Sequence, residues 1–180
     1  MDKRFIKLLA TCAVVSAGTP LVAEAYGKAE AATAELVDLN GDTIGAATLT
    51  QGSGGVLIHV KVEGLTPGKH GLHLHAIGEC DGGHGFKSAK GHVGLIEGGH
   101  GLLNPEGPEP GDLPNIFVGS DGEGEMEAFT TFVSLVGGGN NLLDTDGSSL
   151  LIHEGPDDHR SQPIGGSGGR VACGTITKAD

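Results

Sequence analysis

One hexapeptide constrains this chain more than any other stretch: His70-Gly71-Leu72-His73-Leu74-His75. An extended strand turns successive side chains to opposite faces, so a period of two puts His73 and His75 on one face and Leu72 and Leu74 on the other. The leucines can then enter a core while two imidazoles project together from rigid backbone. That is half of a metal site, made without any loop having to fold around an ion.

The remainder of the chain is punctuated like a set of short strands. It holds 34 glycines without a collagen-like period, and only 3% of its residues are aromatic, which argues against a helix bundle and for many turns and bulges. After a short lead at 28–32, residues 33–39 alternate, and Asn40-Gly41-Asp42 marks a tight turn into 43–50, so the two segments predict a hairpin. A third strand is predicted over 56–63, with His59 facing solvent. From 77 to 115 the pattern disappears into a segment rich in glycine and proline that carries His84, His92 and His100. A loop that long in one domain is either functional or evidence against the assignment, and its histidines and acids favour the first. Strand character returns at 116–118, at 126–136 after a turn, at 148–153, and at 170–176 after a second irregular loop over 154–169. No amphipathic helix is legible. Roughly eight short strands with two long loops imply an antiparallel sandwich or barrel.

At 180 residues the chain is long enough for one domain with a full core. Its net charge of −12 excludes a general nucleic-acid surface and argues against an anionic membrane as partner. The first residues read as a secretory signal over 1–25. Lys3, Arg4 and Lys7 precede an apolar run over 8–22, and Ala23-Glu24-Ala25 fits a small-x-small cleavage site. The mature domain then spans 26–180, in the periplasm or outside the cell. The apolar run is too short and too interrupted by Gly18 and Pro20 for a comfortable membrane span; a retained anchor, or lipidation at Cys12, is the alternative. Removing the signal leaves Cys80 and Cys173, which in an exported protein most simply form one disulfide worth about 4–5 kcal/mol by chain entropy. Two free buried thiols are the other reading.

Taken together, these motifs match a family. The hexapeptide, Phe86-Lys87-Ser88-Ala89-Lys90-Gly91-His92, His100-Gly101-Leu102-Leu103-Asn104-Pro105-Glu106-Gly107-Pro108 and Gly111-Asp112-Leu113-Pro114-Asn115 occur in order. They are followed by His153, Pro156-Asp157-Asp158-His159-Arg160 and Gly169-Arg170-Val171-Ala172-Cys173-Gly174. Residues 33–176 thereby resemble the copper/zinc superoxide dismutases, most closely the exported bacterial ones. The resemblance implies an all-β, eight-stranded antiparallel Greek-key β-barrel with two long functional loops. It also implies conversion of superoxide to O₂ and H₂O₂ by Cu(II)/Cu(I) cycling, with zinc structural.

Carried over by position, the resemblance makes His73, His75, His92 and His153 the copper ligands. Four imidazoles suit copper, the tightest binder among the common divalent ions. His92 takes the role of bridge to zinc and is a candidate proton donor to the nascent peroxide. Arg170 matches the arginine that draws the substrate anion, and Asp157 the carboxylate linking a copper ligand, His73, to a zinc ligand, His100. On the zinc side His92, His100 and Asp112 fall into place, but the remaining histidine position is occupied by Glu109. Zinc accepts carboxylate oxygen, so Glu109 can ligate directly. Otherwise zinc keeps three protein ligands with water or His84, or is held weakly. A second departure, Val93-Gly94-Leu95 after His92, is expected to alter loop packing rather than ligation. The glycine-rich 165–169 lacks the strand-to-helix setting of a phosphate loop. Two rival functions stay open at this level: a non-catalytic copper-buffering protein on the same barrel, and a structural secreted β-domain. Monomer and homodimer are likewise both open.

Overall fold

The computed structural model describes residues 30–180; the signal expected over 1–25 and Cys12 lie outside them. Its strands are β1 (Ala31–Asp38), β2 (Thr43–Gln51), β3 (Val56–Val62), β4 (Gly68–His70), β5 (Leu72–His75), β6 (Ile116–Val118), β7 (Gly124–Thr130), β8 (Ser148–His153) and β9 (Arg170–Lys178). Neighbours pair antiparallel in the order β4-β6-β7-β3-β2-β1-β9-β8-β5. The two ends of that order, β4 and β5, are consecutive in the chain and separated by Gly71 alone. Gly71 donates its N–H to Gly155 O at 2.8 Å and accepts from His153 N at 2.9 Å, so the run 68–75 belongs to both edges and closes the sheet on itself. Counted as one interrupted strand, it gives the expected eight-stranded barrel; counted as two, it gives nine.

Alternation builds the core. β3 follows a strict inward-outward pattern, burying Val56, Ile58, Val60 and Val62, and its neighbours add Leu36, Leu49, Leu72, Leu74, Leu150 and Ile152. β5 and β8 are buried on both faces, because the long loops cover the side that points away from the core. The hexapeptide's parity therefore survives, but its histidines are interior groups. Cys80 and Cys173 are disulfide-bonded across a sequence separation of 93, fixing the first loop to β9 beside Phe86, Ala89 and Leu151.

Several element ends differ from the sequence expectation. β1 starts at Ala31, inside the expected lead, and β9 runs on to Lys178, because Ala32 pairs with Lys178. The strand expected over 126–136 stops at Thr130, which pairs with Val56, the first residue of β3. Beyond that point β7 has no partner. The chain turns inward instead, burying Val133 and Leu135, with Leu135 N donating to Gln51 Oε1 at 2.8 Å. Among the described residues no helix is long and apolar enough to cross a membrane.

Candidate metal centre

The candidate residues come from three elements that the backbone joins edge to edge. β5 supplies His73 and His75, and the end of its partner β8 supplies His153. The first loop returns to the free edge of β5 twice, pairing His92 with His75 and Asp112 with His73. Val93 N donates to Leu74 O at 2.9 Å, Leu74 N to Gly111 O at 2.8 Å, and Gly111 N to Val93 O at 3.0 Å. Gly111 permits that approach: a Cβ there would lie 2.4 Å from Leu74 O and 3.1 Å from His92 Cβ.

Each of these four rings has one nitrogen bound to the protein. His73 Nε2 bonds to Asp157 Oδ2 at 2.8 Å, His75 Nδ1 donates to Lys90 O at 2.9 Å, His92 Nδ1 bonds to Glu109 Oε2 at 2.7 Å, and His153 Nδ1 donates to Gly168 O at 3.1 Å. The other four nitrogens, Nδ1 of His73 and Nε2 of His75, His92 and His153, are buried without a partner. Donor atoms of His73, His75 and His153 lie within 4.8 Å of one another. The His92 ring packs against His73 and His75, with centroids 4.3 and 4.9 Å away. Unpaired buried polar atoms are costly, and so many on neighbouring rings fit a soft-to-borderline cation. Burial brings His73 and His153 down to about 4, aided by the positive groups around them, and pushes His75 well below its ordinary value. At neutral pH His73, His75 and His153 therefore keep free lone pairs.

A second cluster shares His73 and His92, adding His100 and Asp112, with donor atoms again within 4.8 Å. Asp112 Oδ1 lies 2.8 Å from His100 Nδ1 and 3.3 Å from His92 Nδ1, while its Oδ2 accepts Gly101 N at 2.7 Å and Glu109 N at 2.9 Å. Burial alone would lower His100, but Asp112 and Asp157 outweigh it and raise the ring to about 10. Burial alone would likewise raise the two aspartates, yet bonds from the histidines hold both well below the usual carboxylate range. Glu109 is buried, with Oε1 accepting Ile96 N at 2.9 Å. A carboxylate pair with imidazoles is a donor set that zinc accepts.

Asp157 spans the clusters, with Oδ1 3.2 Å from His100 Nε2 and Oδ2 on His73. Its backbone is gripped twice by Asn115, whose Oδ1 accepts Asp157 N at 2.9 Å and whose Nδ2 donates to Asp157 O at 2.8 Å. Arg170 stands opposite His153 in the β8–β9 register, its guanidinium donating to Phe86 O and Lys90 O, each at 2.5 Å. Lys90 O is also the anchor of His75, so one carbonyl positions a candidate ligand and the cation beside it.

The structure thus brings together His73, His75, His92, His100, His153, Glu109, Asp112, Asp157 and Arg170. It does not bring in His84, which is exposed and turned onto Asp81. His59 meets Glu125 at the surface, and His70 lies between Thr66 O and His153 O as a structural bridge. Gly165 lets the glycine-rich loop pass over Asp157, since a Cβ there would fall 1.6 Å from Asp157 Oδ1. Asn115, and the carbonyls and N–H groups of Lys90, Gly168 and Ile96, carry no sequence signal for these contacts; Asn115 and Lys90 lie within the quoted motifs, without a role.

Residues 43–176 match the family model described as copper/zinc superoxide dismutase. A Caulobacter vibrioides protein named superoxide dismutase (Cu-Zn) is 49% identical over 148 residues, covering 81% of this chain and 84% of its own. An Aquifex aeolicus protein named superoxide dismutase (Cu-Zn) 2 is 41% identical, covering 91% and 96%. Among solved structures, a superoxide-dismutase-like protein from Bacillus subtilis superposes with TM-score 0.75 at 36% identity, covering 81% of this chain and 97% of that one. The Cu/Zn superoxide dismutase from Brucella abortus gives 0.66 at 29%, covering 82% and 100%.

Proposed function

Since the chain belongs to the copper/zinc superoxide dismutase family, we propose that the buried histidine cluster is its catalytic copper centre and the adjoining carboxylate cluster its zinc site. The protein is a superoxide dismutase, an oxidoreductase using copper and zinc. The observation that carries the site assignment is the set of buried, unpartnered nitrogens on His73, His75, His92 and His153. Copper held by them supplies the one-electron cycle that oxidises one superoxide to O₂ and reduces the next to H₂O₂, with two protons consumed overall.

The chain's own groups set the rest. Arg170, an always-charged guanidinium fixed by two carbonyls, draws the anion toward the cluster. Lys90 O and Gly168 O keep Nδ1–H on His75 and His153, so that Nε2 carries the lone pair. Asp157 orients His73 and His100 together. His92 Nε2, once it has taken a proton from solvent, would be the buried atom placed to pass it to the product. Zinc would be held by His92, His100 and Asp112, with Glu109 beside them as a further donor. Copper storage alone gives no reason to hold Arg170 in this place.

The decisive assay loads disulfide-bonded protein with copper and zinc and follows superoxide loss. Near-diffusional catalysis is expected, and His153→Ala abolishes it. An inactive, fully metallated protein would sink the assignment. We also propose export, supported by the pattern over 1–25 and by a disulfide suited to an oxidising compartment. The secreted or periplasmic form should begin near Tyr26 by intact mass; a full-length cytoplasmic product would contradict this.

A further inference from the structure

Glu109 does more than a zinc donor needs to do. Its Oε1 is occupied by the N–H of Ile96 at 2.9 Å, and Ile96 is itself fixed by a turn in which Gly99 N donates to Ile96 O at 2.8 Å. That contact aims Oε2 at His92 Nδ1, 2.7 Å away, with both side chains 3% exposed or less. Glu109 is not part of the mutually close donor set of His73, His92, His100 and Asp112; it stands at the edge beside His92, the ring shared by both proposed metals. A carboxylate that accepts a ring N–H fixes the tautomer and leaves the opposite nitrogen free for a metal. Here the opposite nitrogen is Nε2, buried and unpartnered.

We propose that Glu109 is a built-in stand-in for zinc: without zinc it accepts the Nδ1–H of His92 and holds Nε2 ready for copper, so the copper site assembles with copper alone. With zinc bound, the Nδ1 proton would pass to solvent and the same carboxylate oxygen would be available to the metal. A histidine at position 109 would offer zinc a fourth donor but no anionic acceptor for His92. This inference rests on the reading of His73, His75, His92 and His153 as copper ligands.

The test uses mature, disulfide-bonded protein stripped by chelator and reloaded with copper only. Cu(II) affinity is read by chelator competition and the site by its electron paramagnetic resonance spectrum. Zinc-free wild type should match the zinc-loaded protein in spectrum and fall within about threefold in copper affinity. In Glu109→Gln the amide oxygen can keep Ile96, but its NH₂ then faces Nδ1, which drives the ring proton onto Nε2. Zinc-free copper affinity should fall about 10–100-fold, the usual effect of losing such an orienting partner. Added zinc should recover most of that loss. Glu109→Ala should behave alike, and Glu109→Gln serves alone if the alanine variant does not fold. A wild type that needs zinc for its copper spectrum, or a Glu109→Gln variant with unchanged zinc-free copper affinity, overturns the proposal. The copper-ligand reading fails separately, if His153→Ala leaves the copper spectrum unaltered. Glu109→His should raise zinc affinity; no change would place residue 109 outside the zinc's donors.

Discussion

His73 shows how far a single residue's chemistry is set by its surroundings. Burial brings it and His153 to about 4, and moves His75 the same way. Between about pH 6.5 and 4 the unfolded chain therefore binds protons that the folded chain refuses, so the stability of metal-free protein is complete above that window and is lost as pH falls through it. His100 works oppositely. Raised to about 10 by Asp112 and Asp157, it contributes fully below its ordinary value and loses that contribution as pH rises toward 10. Chelator-stripped protein should thus have its highest denaturation midpoint near neutrality, and a midpoint flat from pH 6.5 to 4 would contradict the burial argument. At this scale the sequence pointed to the histidines that the fold gathers, because a period of two and an ordered motif are both visible in residue letters. What each outward nitrogen touches was not visible. Lys90 O, Gly168 O and Ile96 N are backbone groups, and any residue type could have presented them.

Strands were legible where alternation and turn residues agreed, as in β1, β2, β3 and β8, and illegible where pairing decided the end. β7 stops because β3 begins there, and β9 extends because β1 reaches back to meet it. The attachment of the first loop to β5 is likewise a pairing fact, and it turns on Gly111. Gly111→Ala must break Leu74 N–H to Gly111 O or push His92 aside, since the new Cβ would sit 2.4 Å from that neighbouring carbonyl, Leu74 O. We expect a loss of about 2–4 kcal/mol in denaturant unfolding of metal-free protein, with weakened zinc retention as Asp112 shifts from His100. Gly41→Ala is the control. Its Cβ meets open space, and only the left-handed backbone at φ +88° is strained, so about 1 kcal/mol is expected. Equal losses in the two variants would remove the close-approach argument.

Across the whole molecule, net charge −12 opposes the approach of a negatively charged substrate, yet Arg170 lies close enough to His75 and His153 to lower both. Arg170 is held by the carbonyls of Phe86 and Lys90, which flank the short 3-10 turn Lys87–Ala89, and both Lys87 and Lys90 are exposed there. The Cys80–Cys173 disulfide ties this segment to β9, the strand that carries Arg170, so the positive group is fixed as a unit. The composition disclosed the excess of acid; only the fold shows that Arg170 is fixed against the segment that carries Lys87 and Lys90. At short range the attraction of these cations outweighs the repulsion of the distant acids, and added salt, with a screening length of about 8 Å at physiological ionic strength, weakens that attraction. The rate constant for superoxide should therefore fall as salt rises, despite the like sign of protein and substrate. Replacing both Lys87 and Lys90 by glutamate should lower that constant about tenfold at low salt and weaken or invert its salt dependence, with copper content unchanged. A wild-type rate that climbs with added salt would mean that the overall acidity, and not the patch around Arg170, governs what the anion feels at the proposed copper site.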